Sequence, residues 1–417
     1  MRFATVCPML LILFCSQAGF AELKAGVARA DITPPIGGMM YGYGARGINV
    51  SKGVHDRLHA KALVLDDGET KLAIATLDLG SFTRENTENV RKIVEEKTGI
   101  ENVLCAFSHT HSGPVPSEVF PSKENPWIRE AEQKVAEAIV EAAASLVPAK
   151  IGAGRGEVRE GHNRRMVRAD GEVVMFWANR DRIPTSPVDY QLTVIRVEGL
   201  DGGPLATLVN FTCHPVVLGP ENLLISADYP GVFMRVVEEA IGGQCMFLQG
   251  AAGDINPFWD KTPPAEGGYD QVEKMGKAIA DEVLRVSKQI VDLAAEPKIS
   301  FHTEVIALAS RRDIERQSRS INAEINTVLL GNDLALATFP GEFFVEHGLS
   351  LKRRSRFKNT IFVGYCNDAL AYFPTIQACT EGGYGASSMT RVEVGAGERL
   401  VNRALINLYY QAGMIRP

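Results

Sequence analysis

Short apolar blocks bounded by Gly, Pro, Asn or Asp recur along the chain, and longer stretches with helical spacing lie between them. The blocks read as buried strands and the stretches as amphipathic helices. Leu23 to Pro35 opens with a strand that stops at a Pro pair. Ala60 to Leu65 and Leu72 to Leu79, joined by Asp66-Asp67-Gly68, predict a hairpin. A helix over Thr83 to Lys97, closed by Gly99, leads into a strand over Val103 to Phe107. Trp127 to Leu146 reads as an alanine-rich helix and Lys150 to Val158 as a strand, followed by a polar turn at Gly161 to Arg165. A second hairpin joins Gln191–Val197 to Leu205–Phe211. Helices over Val232–Ile241 and Val272–Ile290 flank a short strand at Cys245. Strands over Ile299–Ala307, Ile321–Leu330, Ala335–Phe339 and Asn359–Tyr365 follow, with a helix after Glu342 and a last one around Glu398–Ala412. Hairpins and helix-linked strands interleave without repeat or linker. The expected fold class is therefore α/β: a single large domain of mixed β-sheets with flanking helices.

Composition narrows this little. Hydrophobic residues make up 45% and charged residues 23%, as in ordinary globular proteins. A net charge of −6 gives no electrostatic reason to expect nucleic acid. The N-terminus changes the picture more. Arg2, the apolar run Val6 to Cys15 and Ala18-Gly-Phe-Ala21 predict a signal peptide over residues 1–21, hence a secreted or periplasmic protein. That apolar run is too short to span a bilayer, and no later run approaches the length of a transmembrane segment. Cys105, Cys213, Cys245, Cys366 and Cys379 are scattered and mostly inside apolar runs, which predicts buried small hydrophobes rather than a disulfide framework.

The chemistry gathers where strands break. The strand at Val103 ends in Ser108-His109-Thr-His111-Ser-Gly-Pro114, and the one at Leu205 ends in Asn210-Phe-Thr-Cys-His214-Pro215. The strand at Ala335 ends in Phe339-Pro-Gly-Glu342, and the one at Cys245 runs into Gly253-Asp254-Ile-Asn256-Pro257. Gly and Pro forbid each strand to continue, so an ionisable residue is left at each tip. Strand tips of α/β folds are where scaffold meets substrate. Two histidines and a carboxylate are a common ligand set for a catalytic zinc, so a metal site at the strand ends is expected. Gly37 to Gly47, with Tyr41-Gly-Tyr43-Gly, lacks the setting of a phosphate loop and reads as a structured loop near a site or the core.

These motifs resemble those of the neutral/alkaline ceramidase family over nearly all of the chain beyond residue 21. Ser108 to Pro114 is similar to the family's His-Thr-His-Ser-Gly-Pro signature, and Ala25 to Pro34 to its opening strand. Phe211 to Pro215 with Ser226-Ala-Asp228, Gly253 to Pro257, Pro340-Gly-Glu342, and Asn367 to Ser387 resemble further blocks in the same order. The resemblance implies a Zn2+ ion held by His109, His214, Glu342 and Tyr372. It implies that His111, Arg164 and Tyr384 face the scissile amide, with Asp254 orienting them from behind. The implied reaction is hydrolysis of an N-acyl amide, ceramide-like or other, by zinc-activated water. Arg165 adjoins Arg164, and the sequence leaves open which of the two points inward. Asn256 stands where the family block carries Ser; if water is the nucleophile, Asn256 serves as a hydrogen-bonding partner in catalysis. The family's immunoglobulin-like C-terminal domain is absent from residues 22–417. Two alternatives are a ceramidase-fold binding protein that lost catalysis with the serine, and an unrelated metal-dependent amidohydrolase or esterase. A barrel amidohydrolase predicts eight βα repeats. The acyl chain, the amine, the general acid and the oligomeric state are open at this point.

Overall fold

The computed structural model describes residues 22–117, 119–124, 126–311 and 320–416. The expected signal peptide lies outside the described residues. In chain order the longer elements are β1 (Lys24–Asp31), β2 (His59–Asp66), β3 (Lys71–Leu77), α1 (Arg84–Thr98), β4 (Asn102–Phe107), α2 (Trp127–Ala144) and β5 (Val147–Glu157). They continue with β6 (Gln191–Gly199), β7 (Pro204–Phe211), α3 (Tyr229–Ile241), β8 (Gln244–Gln249) and α4 (Gly268–Gln289). The last are β9 (Ile299–Ala309), β10 (Ser320–Leu330), β11 (Leu334–Thr338), α5 (Val345–Arg354), β12 (Asn359–Val363), α6 (Ile376–Glu381) and α7 (Ala396–Gln411).

An eight-stranded sheet runs in the order β8-β7-β6-β5-β1-β2-β3-β4, and a four-stranded sheet in the order β9-β10-β11-β12. One face of the large sheet packs on the small one: Leu63, Ile74, Leu104, Leu208 and Met246 share a core with Val328, Leu336 and Ile361. The other face of the large sheet is covered by α1 and α2 at one end and by α3 and α4 at the other. Helices α5 and α7 cover the far face of the small sheet. The result is a helix–sheet–sheet–helix stack, the mixed α/β class expected. Strands such as β2 are buried on both faces, which is why they read as continuous apolar runs rather than alternating ones.

Among these longer strands most pairings are antiparallel, but three are parallel: β3 with β4, β7 with β8, and β11 with β12. Each of these pairs is joined by a helix, α1, α3 and α5 respectively. Thr83 caps α1 in a capping box with Asn86, and Gly99 closes it in the left-handed conformation. This sheet is not the closed ring of eight βα repeats that a barrel amidohydrolase requires, so that alternative is set aside.

Two local expectations change. The polar turn at Gly161 to Arg165 instead contains two short strands: His162–Asn163 pairs with Ile255–Asn256, and Arg165–Val167 pairs with Val173–Met175. The first partner lies far along the chain, so no local pattern announces it. Helix α3 begins at Tyr229, earlier than the hydrophobic period suggested. Pro230 sits in the first turn, where its missing N–H is not needed, and Asp228 accepts from Tyr229 N at 2.7 Å.

A buried carboxylate ties the two sheets together near the site. Glu324 on β10 accepts from Arg91 Nη1 and Nη2 of α1 at 3.0 and 2.7 Å and from Asn367 Nδ2 at 3.0 Å. Asn367 in turn accepts from Cys105 N of β4 at 2.8 Å. Burial alone raises the Glu324 pKa, but the Arg91 guanidinium outweighs it and holds the carboxyl below the usual value. A depressed carboxylate contributes stability above its unfolded pKa, and that contribution disappears as pH falls through the folded one. Glu324→Gln is therefore expected to lower the unfolding free energy by about 2 kcal/mol at neutral pH. In urea titrations the deficit relative to the parent should shrink on acidification below the glutamate range.

Candidate metal centre

The strand tips converge. His109 lies just beyond β4, His214 beyond β7, Asp254 and Asn256 beyond β8, Glu342 beyond β11, and Tyr372 beyond β12. All five tips belong to the parallel pairs, and within each pair both strands end on the same side. Gln249, the last residue of β8, clasps two of these tips, because its Nε2 donates to Ser108 O at 3.2 Å and Cys213 O at 2.8 Å. His109 is left-handed, with φ 67°, and this bend turns the chain so that His109 and His111 face each other, Nε2 to Nε2, at 3.3 Å.

The hydrogen bonds fix the tautomers. His109 Nδ1 lies 2.7 Å from Gly80 O, and His214 Nδ1 lies 3.2 Å from Ile255 O. A carbonyl oxygen accepts but cannot donate, so each Nδ1 carries a hydrogen, and in its neutral form each ring turns a lone pair outward at Nε2. Those lone pairs meet Glu342 Oε2, which is 3.1 Å from His214 Nε2 and 3.4 Å from His109 Nε2. With both rings neutral, three acceptors face one another. Burial pushes the His214 pKa down to about 4, the neutral form that ligates metal, and pushes His111 well down too. Ring nitrogens of His109, His111 and His214, each able to ligate, all lie within 4.8 Å of one another. The donor set fits a divalent cation of borderline softness.

Tyr372 stands beside Glu342 because the two-residue strands Glu342–Phe343 and Tyr372–Phe373 pair in parallel, residue for residue. Its hydroxyl accepts from Arg164 Nη2 at 3.1 Å. Arg164 also donates to Gly253 O at 2.6 Å and, through Nη1, to Asn256 Oδ1 at 3.0 Å. Burial works against its charge, and Tyr372 and Glu342 more than offset that, so it stays protonated. The guanidinium lies over the rings of Trp177, Tyr384 and Tyr372 at 5.0, 5.4 and 5.8 Å. Arg165 turns the other way: it donates to Gly382 O at 2.7 Å and pairs with Glu381 at 3.2 Å, tying α6 and the Tyr384 loop in place. Arg164 is thus the inward arginine.

Asp254 touches no histidine. Its oxygens accept from Asn163 Nδ2 and from Val345 N, the first residue of α5, each at 2.8 Å. Its carbonyl accepts from Arg164 N at 2.9 Å. Asp254 therefore fixes the arginine turn and the Glu342 segment relative to each other. Tyr384 is half-buried, 5.4 Å from the Tyr372 ring.

The structure adds residues that the strand tips did not announce. Tyr41 packs edge-on against both His109 and His111 at 5.6 Å, and Tyr43 against His111 at 4.8 Å. They come from the Tyr-Gly-Tyr-Gly loop, and Gly42 between them is required: at φ 98° its Cβ would stand 2.3 Å from the His111 ring. Tyr365 stacks 4.5 Å from His109, its buried hydroxyl without a partner among the described residues. Trp177 packs 5.3 Å from Tyr384 and carried no sequence signal.

Fold and site together describe an α/β protein with a candidate metal centre at the carboxyl ends of its parallel strands. Residues 23–262 match the family model of the neutral/alkaline non-lysosomal ceramidases, N-terminal, and the chain belongs to that family. It is 29% identical over 269 residues to neutral ceramidase A of Dictyostelium discoideum, covering 57% of this chain and 36% of that one. It is 25% identical over 294 residues to the neutral ceramidase of Pseudomonas aeruginosa, covering 65% of this chain and 42% of that one. The aligned parts thus span about a third to two fifths of these relatives. The crystal structure of the Pseudomonas aeruginosa enzyme superposes with a TM-score of 0.76 at 17% identity, over 94% of this chain and 75% of that one. A ceramidase complexed with C2 gives 0.77 at 18%, over 94% and 76%. Both likenesses are of fold.

Gly253 packs directly under the Glu342 segment: a Cβ there would lie 2.6 Å from Glu342 O and 2.8 Å from Phe343 O. Gly253→Ala should displace the Glu342 segment and weaken metal binding by about tenfold or more, as losses of supporting contacts do. Competition with a chromophoric chelator measures this.

Proposed function

We propose that the chain is an exported, zinc-dependent hydrolase of linear N-acyl amides, ceramide-like or other. The observation that carries this reading is the trio of lone pairs from His109, His214 and Glu342, which only a cation or a proton reconciles. His109, His214, Glu342 and Tyr372 are the proposed ligands. Bound zinc supplies a Lewis acid and a water that ionises near neutral pH. The residues around it supply the rest. Arg164 brings a buried positive charge beside Tyr372 and Tyr384, the side on which a developing oxyanion is stabilised. Tyr384 and His111 are the neutral donors toward it. Tyr41, Tyr43 and Trp177 wall the site and keep water from it.

Asn256 has no nucleophilic atom, and its Oδ1 accepts from Arg164, so it holds the guanidinium. That role survives the exchange of Ser for Asn and supports water as the nucleophile. Export rests on the leader-like residues 1–21. No helix among the described residues is long and apolar enough to cross a membrane.

The test combines metal analysis with hydrolysis of C12-ceramide and N-dodecanoylethanolamine. The parent is expected to carry zinc and to cleave an acyl amide. His214→Ala should lose zinc and turnover together at an almost unchanged melting temperature. Absence of zinc, or zinc without turnover on any acyl amide, would leave a binding protein instead. Asn256→Ala should keep zinc and lower kcat by about tenfold, since it frees one arm of Arg164; a variant that loses zinc would instead make Asn256 a support of the metal.

A further inference from the structure

Lys261 belongs to none of the strand tips, yet its ammonium sits at the rim of the metal centre. Lys261 Nζ is 4.4 Å from the centre of the Trp177 ring and 5.9 Å from that of Tyr43. Trp177 packs against Tyr384, and Tyr43 packs against His111. The ammonium therefore lies between the two walls that flank the proposed reacting centre. A surface lysine with no task there would extend into water, which solvates an ammonium better than rings do.

The backbone holds this placement against its preference. Lys261 has φ 53°, the left-handed conformation that side-chain-bearing residues avoid. Its N–H donates to Val216 O at 2.9 Å, and the next N–H, of Thr262, donates to Val217 O at 2.8 Å, so the bend is fixed from both sides. Such outliers persist where surrounding structure over-determines them, and they cluster at ligand sites.

The ammonium is also incompletely used. It has three N–H donors. Among the described residues it makes one hydrogen bond, to Asp260 Oδ2 at 2.5 Å. Asp260 is buried beside it. The Lys261 side chain is 34% exposed, so its free donors are reachable from outside. Arg164, across Trp177, adds a second positive charge to this side of the site.

We infer that Lys261 selects the substrate: its ammonium takes an anionic group, a carboxylate or phosphate, carried by the acyl amide close to the scissile bond. The inference rests on the amide-hydrolase reading above and narrows it to N-acyl amines with an acidic head. A neutral head covering Lys261 would strip water from the ammonium without replacing it, whereas an anion replaces that water with a charge-assisted hydrogen bond.

Three dodecanoyl amides of similar size test this: dodecanoylglycine, dodecanoyl-O-phosphoethanolamine and the uncharged dodecanoylethanolamine. In the parent, kcat/KM for at least one acid should exceed that for the neutral amide by about tenfold or more, and which acid leads separates carboxylate from phosphate recognition. In Lys261→Met, which keeps the aliphatic stem on the rings, that ratio should fall toward one. Lys261→Arg should restore part of it. A parent ratio near one, or a ratio unchanged in Lys261→Met, overturns the inference. Binding gives a readout independent of turnover. Calorimetry with N-(dodecylsulfonyl)glycine and its methyl ester, which hold no scissile amide, should show the acid binding about tenfold tighter to the parent and equally to Lys261→Met. Failure to hydrolyse all three amides with this binding difference intact removes the hydrolase reading and keeps Lys261 as an anion site. Equal binding of acid and ester to the parent removes the anion site whatever the turnover.

Discussion

Three lone pairs aimed at one point are the constraint on which the rest of the site depends. An imidazole with a free Nδ1 could rotate or switch tautomer and relieve the repulsion. The carbonyls of Gly80 and Ile255 deny both rings that escape. Glu342 cannot withdraw either, because its segment is paired along Tyr372–Phe373 and packed against Gly253. Folding thus keeps unfavourable electrostatics in place, which the proposed cation would relieve on filling the centre. Every second layer of contacts serves that end: Gln249 binds two tips together, Asp254 binds the arginine turn to α5, and Arg165 binds the tyrosine loop.

The fold makes this geometry reachable. In a purely antiparallel sheet successive strands deliver their tips to alternate ends. Each parallel pair breaks that alternation locally, because the helix joining its two strands returns the chain to the side it left. One parallel pair sits at each edge of the large sheet and one at the edge of the small sheet. Five antiparallel pairings separate the two edge pairs of the large sheet, so strand direction alone does not unite their tips; the twist of the sheet has to carry them to one point beside the small sheet.

The strands, the helices and the tip residues were legible because each rests on local signals. Apolar blocks stopped by Pro or Gly locate β4, β7 and β11, and the ionisable residue after each is visible in the same few positions. Tyr372 was not legible that way. Its ligand-like position arises from pairing with Glu342, a contact between segments thirty residues apart that no periodicity encodes, and a family resemblance had to supply it. Arg164 over Arg165 was undecided for the same reason, since the choice is made by the distant pairing of His162–Asn163 with Ile255–Asn256. Trp177 and Lys261 lie in irregular loops whose shape is set by what they pack against.

The charges of the centre show why these loop residues matter. A divalent cation held beside Glu342, as proposed, would leave the inner site positive, and Arg164 adds to it. Buried Asp254 and Asp260 offset part of this from behind. Asp254 spends both oxygens on Asn163 and Val345, and Asp260 spends one on Lys261. Neither carboxylate turns toward the cavity, so both lower the cost of the positive charge without competing for the cation. Lys261, paired with Asp260 through one donor, keeps its remaining N–H donors at the partly exposed rim. A hydrolase whose inner surface is positive stabilises the anionic transition state of amide cleavage. Extending the same sign to the rim favours a substrate that arrives already carrying negative charge, and the field that would assist the chemistry then also acts in recognition.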